Sequence, residues 1–161
     1  MHDKTPSTAT APELAHVTTI QAEVGPIQEL GVMPLGRRRV IPIIGGTIRG
    51  PRLSGEVLPG GADWQIVRPD GVIELTASYW VRADDGTEIS VVNTGLRRAD
   101  AETMAKLSRG EPVDPALVYC RTVPRFEAPS DSAYDWLNGS LFLADVQRRP
   151  DSVQITVFEV R

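Results

Sequence analysis

Two Asp-Gly turns, separated by one strand length, constrain the fold of this 161-residue chain more than any other feature. The sequence "RPDG" occupies residues 68–71 and "ADDG" occupies residues 83–86, and alternating apolar and polar residues flank both. Asp-Gly between alternating runs is a strong short-range signal of a tight β-hairpin. The turns therefore predict three consecutive antiparallel strands, near 64–68, 72–82 and 87–93.

Most of the remaining sequence also favours β-structure. Further alternating or β-branched runs predict strands at 14–24, 37–50, 117–123, 140–147 and 152–160. Eight to ten strands in one domain must close into a barrel or pack as a sandwich, and the short tight turns favour the barrel. We therefore expect a mainly β protein with a closed antiparallel barrel wide enough to hold one small ligand.

One short helix is predicted in the segment "DAETMAKLSRG". Asp100 is a suitable N-cap, and Gly110 is a suitable stop. Residues 1–12 are rich in Ser, Thr and Pro and predict a flexible tail. The length of the rest predicts a single domain over residues 13–161.

Composition and charge exclude several classes of protein. A net charge of −4 with scattered basic residues argues against a nucleic-acid partner. No segment approaches the roughly 20 apolar residues of a membrane span. Cys120 is the single cysteine and there are two histidines, so a zinc site of the usual type is not expected. We expect no metal, no cofactor and no membrane partner, and a cytoplasmic location because no signal peptide is evident.

Strand 72–82 has two contrasting faces, and the sequence leaves open which one faces inward. One face carries Ile73, Leu75, Ala77, Tyr79 and Val81, and the other carries Val72, Glu74, Thr76, Ser78, Trp80 and Arg82. A packed core would bury the first face. A barrel with a polar-lined cavity would instead place the small polar residues of the second face beside a ligand.

Strand 117–123 places Tyr119 and Arg121 on one face with apolar neighbours. A buried guanidinium needs a carboxylate partner. Asp63 and Glu127 are candidate partners within the protein, and a ligand carboxylate is the alternative. The sequence therefore favours either a structural ion pair or a ligand clamp at Arg121.

The segment "FEAPSDSAYDWLNGS", residues 126–140, gathers aromatic and polar side chains in one loop. Aromatic residues with a few convergent polar groups are typical of small-molecule sites. A plug that closes a barrel and belongs to its core has the same composition. Both interpretations remain open.

Five motifs resemble, in the same order, those of the family of unknown function numbered 3237, the UPF-0311 proteins. They are "LGRRRVIPIIGGTIRGP", "GEVLPGGADWQIVRPDGVIEL", "DDGTEISVVNTGLR", "VYCRTVPRFEA" and "YDWLNGSLF", and the resemblance runs from about residue 14 to 160. It implies a calycin-like (lipocalin-like) barrel with an internal cavity and self-association as a dimer or higher homo-oligomer. It implies no particular reaction. The family positions add Asn93 to the candidate site residues.

Three functions follow as hypotheses. The first is a cofactor-independent enzyme of the isomerase, cyclase or lyase type, acting on a small, partly apolar carboxylate or carbonyl compound. Asp63 and Glu127 are its candidate catalytic residues. The candidate ligand-binding residues are Trp64, Asn93, Tyr119, Arg121, Phe126, Tyr134, Trp136 and Asn138. The other two hypotheses are a non-catalytic small-molecule-binding protein and a structural barrel with a filled core.

Overall fold

The computed structural model describes residues 9–161, so most of the predicted N-terminal tail lies outside the described residues. Ten strands and one α-helix follow along the chain. The strands are β1 (Leu14–Val24), β2 (Gln28–Met33), β3 (Gly36–Arg49), β4 (Gly55–Val57), β5 (Gly61–Val67), β6 (Ile73–Ala83), β7 (Glu88–Arg98), β8 (Tyr119–Glu127), β9 (Phe142–Arg148) and β10 (Ser152–Val160). Helix α1 (Ala101–Ser108) lies between β7 and β8.

The sheet closes on itself, because β1 pairs with β10 on one side and with β3 on the other. From β10 the antiparallel order continues through β9, β8, β7, β6 and β5 to β3. These eight strands form a closed barrel. The two extra strands are β2, which pairs only with β3, and β4, which bridges β3 and β6 beyond the end of β5. The predicted closed antiparallel barrel is confirmed.

Strand β3 pairs with two different strands along its length because it bends at its glycines. Its first half pairs with β5, and its second half pairs with β1. Gly46, at the bend, has a φ of 141°, and a Cβ there would lie 2.0 Å from the backbone oxygen of Gln21. The close approach of β3 to β1 therefore requires a residue without a side chain at this position.

The strand and turn predictions are largely confirmed. The meander β5–β6–β7 forms around the two Asp-Gly turns, with Gly71 and Gly86 at positive φ. Helix α1 begins after Asp100, whose carboxylate accepts a hydrogen bond from the Thr103 amide. Strands β2 and β4 were not predicted. None of the helices in residues 9–161 is long and apolar enough to cross a membrane.

The interior is asymmetric along the barrel axis. Around one end it is packed with buried apolar side chains, which include Phe126, Phe142, Val91 and Ile20. A short 3₁₀ turn, Asp135–Gly139, buries its Leu137 in the same core. We call this packed end the floor. The other half of the interior, which α1 overlies, carries polar side chains and a cavity.

Candidate functional site

A polar cluster lines the upper half of the barrel interior, which we call the lumen. The cavity there has a volume of about 50 Å³. Five side chains that line it have a buried nitrogen or oxygen atom with no hydrogen-bond partner in the described structure: Tyr79 (Oη), Asn93 (Oδ1), Arg97 (Nε), Thr122 (Oγ1) and Arg148 (Nη1). Buried polar atoms are almost always hydrogen-bonded, so five exceptions around one cavity need an explanation.

Strand pairing explains why these side chains meet. Asp63 on β5, Ala77 on β6 and Asn93 on β7 lie opposite one another in the ladder and share the inner face. The next inner row, nearer the open end of the lumen, contains Gln65 on β5, Leu75 on β6 and Thr122 on β8. Because alternate residues of a strand share a face, the alternation of β6, β7 and β8 directs this set inward.

Asp63 is the only carboxylate among the described residues that line the lumen. One of its oxygens accepts a hydrogen bond from the Gln65 amide at 2.6 Å, and the other accepts one from the backbone N–H of Thr76 at 3.2 Å. Burial raises the pKa of Asp63 above its usual range. The Gln65 hydrogen bond and the positive charges of Arg97 and Arg39 oppose that rise without cancelling it.

Tyr79 lies deeper than Asp63, next to the floor. Its side chain is 3% exposed, and burial raises the pKa of its hydroxyl, with a further contribution from the charge of Asp63. The hydroxyl is therefore protonated at neutral pH and is available as a hydrogen-bond donor. In the described structure it donates to no protein group.

The open end of the lumen is basic. Arg39 donates through Nε to Gln65 at 2.7 Å, and Gln65 in turn donates to Asp63. Burial and the neighbouring charge of Arg97 lower the pKa of Arg39 to about 10. Burial and Arg97 also lower the pKa of Arg148. Desolvated like charges at close range account for both shifts.

A wider cavity of about 330 Å³ adjoins the lumen beneath α1, and we call it the mouth. The lumen and the mouth share Ile41, Arg97 and Arg148 as lining residues. Met104 and Leu107 of α1 line the mouth from above. Together the two cavities reach the size of ordinary small-molecule sites, which begin at about 300 Å³. Within residues 9–161, no three His, Cys, Asp or Glu side chains are grouped as metal ligands.

The model of the protein family of unknown function DUF3237 matches residues 12–160. The chain belongs to this family. A UPF0311 protein of Rhodopseudomonas palustris is 46% identical over 148 residues, which are 92% of this chain and 96% of the relative. The crystal structure of that protein matches this DUF3237 barrel with a TM-score of 0.91 at 44% identity, over 95% of this chain and 100% of the other.

Two further structures have the same fold. A barrel-like protein from Acinetobacter baumannii matches with a TM-score of 0.82 at 32% identity, over 96% of this chain and 99% of the other. The structure of an enzyme from Penicillium herquei matches with a TM-score of 0.71, over 96% of this chain and 98% of the other. Its sequence identity of 19% shows a shared fold and nothing further.

Two of the ten predicted site residues, Asp63 and Asn93, line the lumen of this DUF3237 barrel. Trp64 is adjacent to Asp63 in the sequence and therefore points outward, where it is 51% exposed. The polar face of β6, with Thr76 and Ser78, also lies outside. Of the two interpretations of β6, the one that buries Leu75 and Tyr79 is the observed one.

The structure places Tyr119, Arg121 and Glu127 on the outer face of β8, away from the lumen. Arg121 forms an exposed ion pair with Asp145 of β9, not with Asp63 or Glu127. The expectation that these three side chains face the cavity is wrong, because the inner face of β8 belongs to Cys120 and Thr122 and their alternates.

The remaining four predicted residues belong to the floor or lie near it. Phe126 packs edge-on against Phe142, and Trp136 packs against Phe142 and under the guanidinium of Arg52. Asn138 binds both the N–H and the carbonyl of Ala128, which fixes the 3₁₀ turn. Tyr134 packs beside the core. The interpretation of this segment as a plug fits these contacts.

Sequence reasoning did not select Gln65, Tyr79, Arg97, Thr122, Arg148 or Arg39 as site residues. A signal for part of this set is present on β8. Extending the strand beyond residue 123 places Arg125 and Glu127 on the same parity as Arg121, which marks that face as the solvent face. On β7, Arg97 has the same parity as the buried residues Ile89, Val91 and Asn93, which indicates that its side chain also lies on the inner face.

Proposed function

We propose that the lumen binds a small, partly apolar organic molecule and that the protein is an enzyme performing acid–base chemistry on it. The five partnerless buried polar atoms around one cavity carry this proposal. A protein that needed the lumen only as a core would gain stability from apolar residues there, because each unsatisfied buried polar group costs about 1–3 kcal/mol. Polar groups that await a ligand account for their presence.

Asp63 is the proton acceptor in this proposal. Its raised pKa makes the carboxylate a stronger base than an exposed aspartate. It removes a proton from a carbon or hydroxyl of the substrate conjugated with a carbonyl group. The carboxylate becomes a carboxylic acid, and the substrate becomes an oxyanion that the Tyr79 hydroxyl stabilises as a hydrogen-bond donor.

Return of the proton from Asp63 to another atom of the same molecule gives an isomer. Attack of the anion within the molecule, followed by protonation, gives a ring. Neither outcome changes the oxidation state or adds atoms. Leu75, Ala77, Val146 and Ile155 supply the apolar lining that excludes water and holds the carbon skeleton. The enzyme from Penicillium herquei supports the proposal only in that a barrel of this fold can house catalysis.

A ligand screen followed by one substitution tests the proposal. Small carbonyl compounds and aromatic acids are first screened for an increase in the melting temperature, because a ligand that binds only the folded state stabilises it. Compounds that bind are incubated with the protein and analysed by NMR for conversion. Asp63→Asn is expected to keep binding and to lose turnover by about 10²–10⁴-fold, the usual contribution of a general base.

Glu127→Gln is the matched control, because it removes a carboxylate from the outer face of β8. Its turnover is expected to equal that of the wild type. Binding without any conversion by the wild-type protein would make the lumen a carrier site instead. Equal turnover by Asp63→Asn and wild type would remove Asp63 from the mechanism.

A further inference from the structure

The positive charge around the lumen exceeds the negative charge. Arg39, Arg97 and Arg148 line the lumen or its mouth, and Asp63 is the only carboxylate among the described residues lining these two cavities. Arg39 and Arg97 are less than a tenth exposed. No carboxylate of the described residues lies within salt-bridge distance of any of the three guanidiniums. Buried guanidiniums are normally paired, so this set lacks a partner.

The single carboxylate of Asp63 attracts all three guanidiniums but forms an ion pair with none of them, so it leaves an excess of positive charge. Its two oxygens are already engaged by Gln65 and by the backbone of Thr76, and a Gln65 side chain separates it from Arg39. Water satisfies N–H groups but brings no negative charge. The positive charge of Arg97 lowers the pKa of both Arg39 and Arg148, because like charges at close range repel. An anion between Arg97 and Arg148 would relieve that repulsion.

The positions of these groups along the barrel axis set the direction in which a ligand lies. Arg97 is four residues beyond Asn93 on β7, which corresponds to about 13 Å between their Cα atoms at about 3.3 Å per residue. Leu75, which lies opposite Gly95 in the ladder, is between the two levels. The lumen thus presents a cationic end at the mouth, a mostly apolar middle that also carries Gln65 and Thr122, and Asp63 with Tyr79 at its inner end.

We propose that the substrate is an organic monocarboxylate whose carboxylate is held by Arg97 and Arg148 while its apolar body extends toward Asp63. This inference rests on the proposed function and names its substrate class. Inorganic phosphate carries a suitable charge but has no carbon skeleton to fill the apolar middle. A neutral carbonyl compound fills the middle and leaves both guanidiniums unpaired. A monocarboxylate with a short apolar body satisfies both requirements.

Matched probes test the charge of the ligand. trans-Cinnamate and hexanoate are compared with trans-cinnamamide and hexanamide, which have the same shape and no charge, by calorimetric titration of the full-length protein. Each carboxylate is expected to bind at least tenfold more tightly than its amide, because a hydrogen bond to a charged group contributes about 1.5–3 kcal/mol. Inorganic phosphate is expected to bind more weakly than either carboxylate.

Arg97→Gln and Arg148→Gln identify the residues responsible. Each is expected to reduce the advantage of the carboxylate over the amide by at least tenfold. Arg121→Gln, on the outer face, is the matched control and is expected to leave that advantage unchanged. Without a ligand, Arg148→Gln is expected to melt at or above the wild-type temperature, because it removes one of the repelling charges. A clear fall in that temperature would indicate a structural arginine and would overturn the assignment.

The two proposals fail in different ways. If amides and carboxylates bind equally well, the monocarboxylate inference is wrong and the lumen remains a ligand site. If phosphate binds as tightly as the carboxylates, the site recognises oxyanions without regard to the carbon skeleton, and the substrate class is again wrong. If none of the five probes binds, the proposal of a ligand site in the lumen and the proposal of its substrate class are both wrong.

Discussion

Asp63 shows how opposing local effects set the chemistry of one residue. Four interactions favour its ionised form: the Gln65 hydrogen bond, the Thr76 N–H and the charges of Arg97 and Arg39. An exposed aspartate with such partners would have a lowered pKa, as Asp70 has beside Arg68. Burial in the lumen outweighs all four for Asp63 and raises its pKa. The same side chain on the outer face of β5 would lack the burial that makes it a stronger base.

The raised pKa of Asp63 predicts a pH dependence of stability. The folded-state pKa lies above the unfolded value, so the stability contributed by the protonated group is fully present below the unfolded pKa. It is lost as the pH rises through the folded pKa. The free energy of unfolding of Asp63→Asn minus that of the wild type is therefore expected to increase as the pH rises above about 4, the usual pKa of an unfolded aspartate. Urea unfolding of the ligand-free proteins measures it, and a difference that decreases with pH would contradict the assignment.

Thr122→Val tests whether the polar groups of the lumen lower the stability of the ligand-free protein. The substitution keeps the shape and removes a buried hydroxyl that has no partner in the described structure. We expect the ligand-free protein to be stabilised by about 1 kcal/mol. Thr94→Val on the outer face of β7 is the matched control and is expected to change stability by less than about 0.5 kcal/mol. Destabilisation by Thr122→Val alone would mean that the hydroxyl is satisfied by ordered water.

At the scale of elements, local turn and cap signals were sufficient to predict most of the barrel. The Asp-Gly turns determine the meander β5–β6–β7, and Asp100 determines where α1 begins. Strand β2 was missed because every one of its residues is exposed, so no alternation marks it. Strand β8 was predicted too short, and its inner face was therefore misassigned. The residues that line the lumen come from all eight strands of the barrel, which only the closure of the sheet brings together.

The bend of β3 provides a test of an element that closes the barrel. Gly46→Ala combines an unfavourable φ with a Cβ that would lie 2.0 Å from the Gln21 oxygen, and it is expected to cost at least about 2 kcal/mol of unfolding free energy. Gly31→Ala is the matched control, because Gly31 also has a positive φ but has open space around its Cα. A chemical denaturation series compares them. Equal costs would show that backbone strain alone, and not the approach of β3 to β1, determines the residue at 46.

At the scale of the whole molecule, the barrel divides into a packed apolar floor and a lumen lined by polar groups. The largest fully buried side chain, Phe142, lies in the floor, and the partnerless polar atoms lie in the lumen. This division explains how a protein of this size tolerates a row of unsatisfied polar groups. The predicted self-association and the predicted cytoplasmic location stay predictions.

Phe142→Ala tests the floor as the source of stability. The substitution leaves a cavity in the packed end and is expected to cost about 3–5 kcal/mol, with the whole barrel melting in one transition. Leu143→Ala, at the neighbouring exposed position, is the control and is expected to cost less than about 1 kcal/mol. Calorimetry measures both. A loss confined to one part of the molecule would show that the two halves unfold separately.

The packed floor also has a kinetic consequence. Under the proposed function, a molecule bound near Asp63 would have the packed floor behind it and the mouth beneath α1 in front of it, so substrate and product would share one route. The two would therefore exclude each other in time. Product that retains the group recognised at the mouth would compete directly with fresh substrate, so turnover would slow as product accumulates and recover when substrate is added.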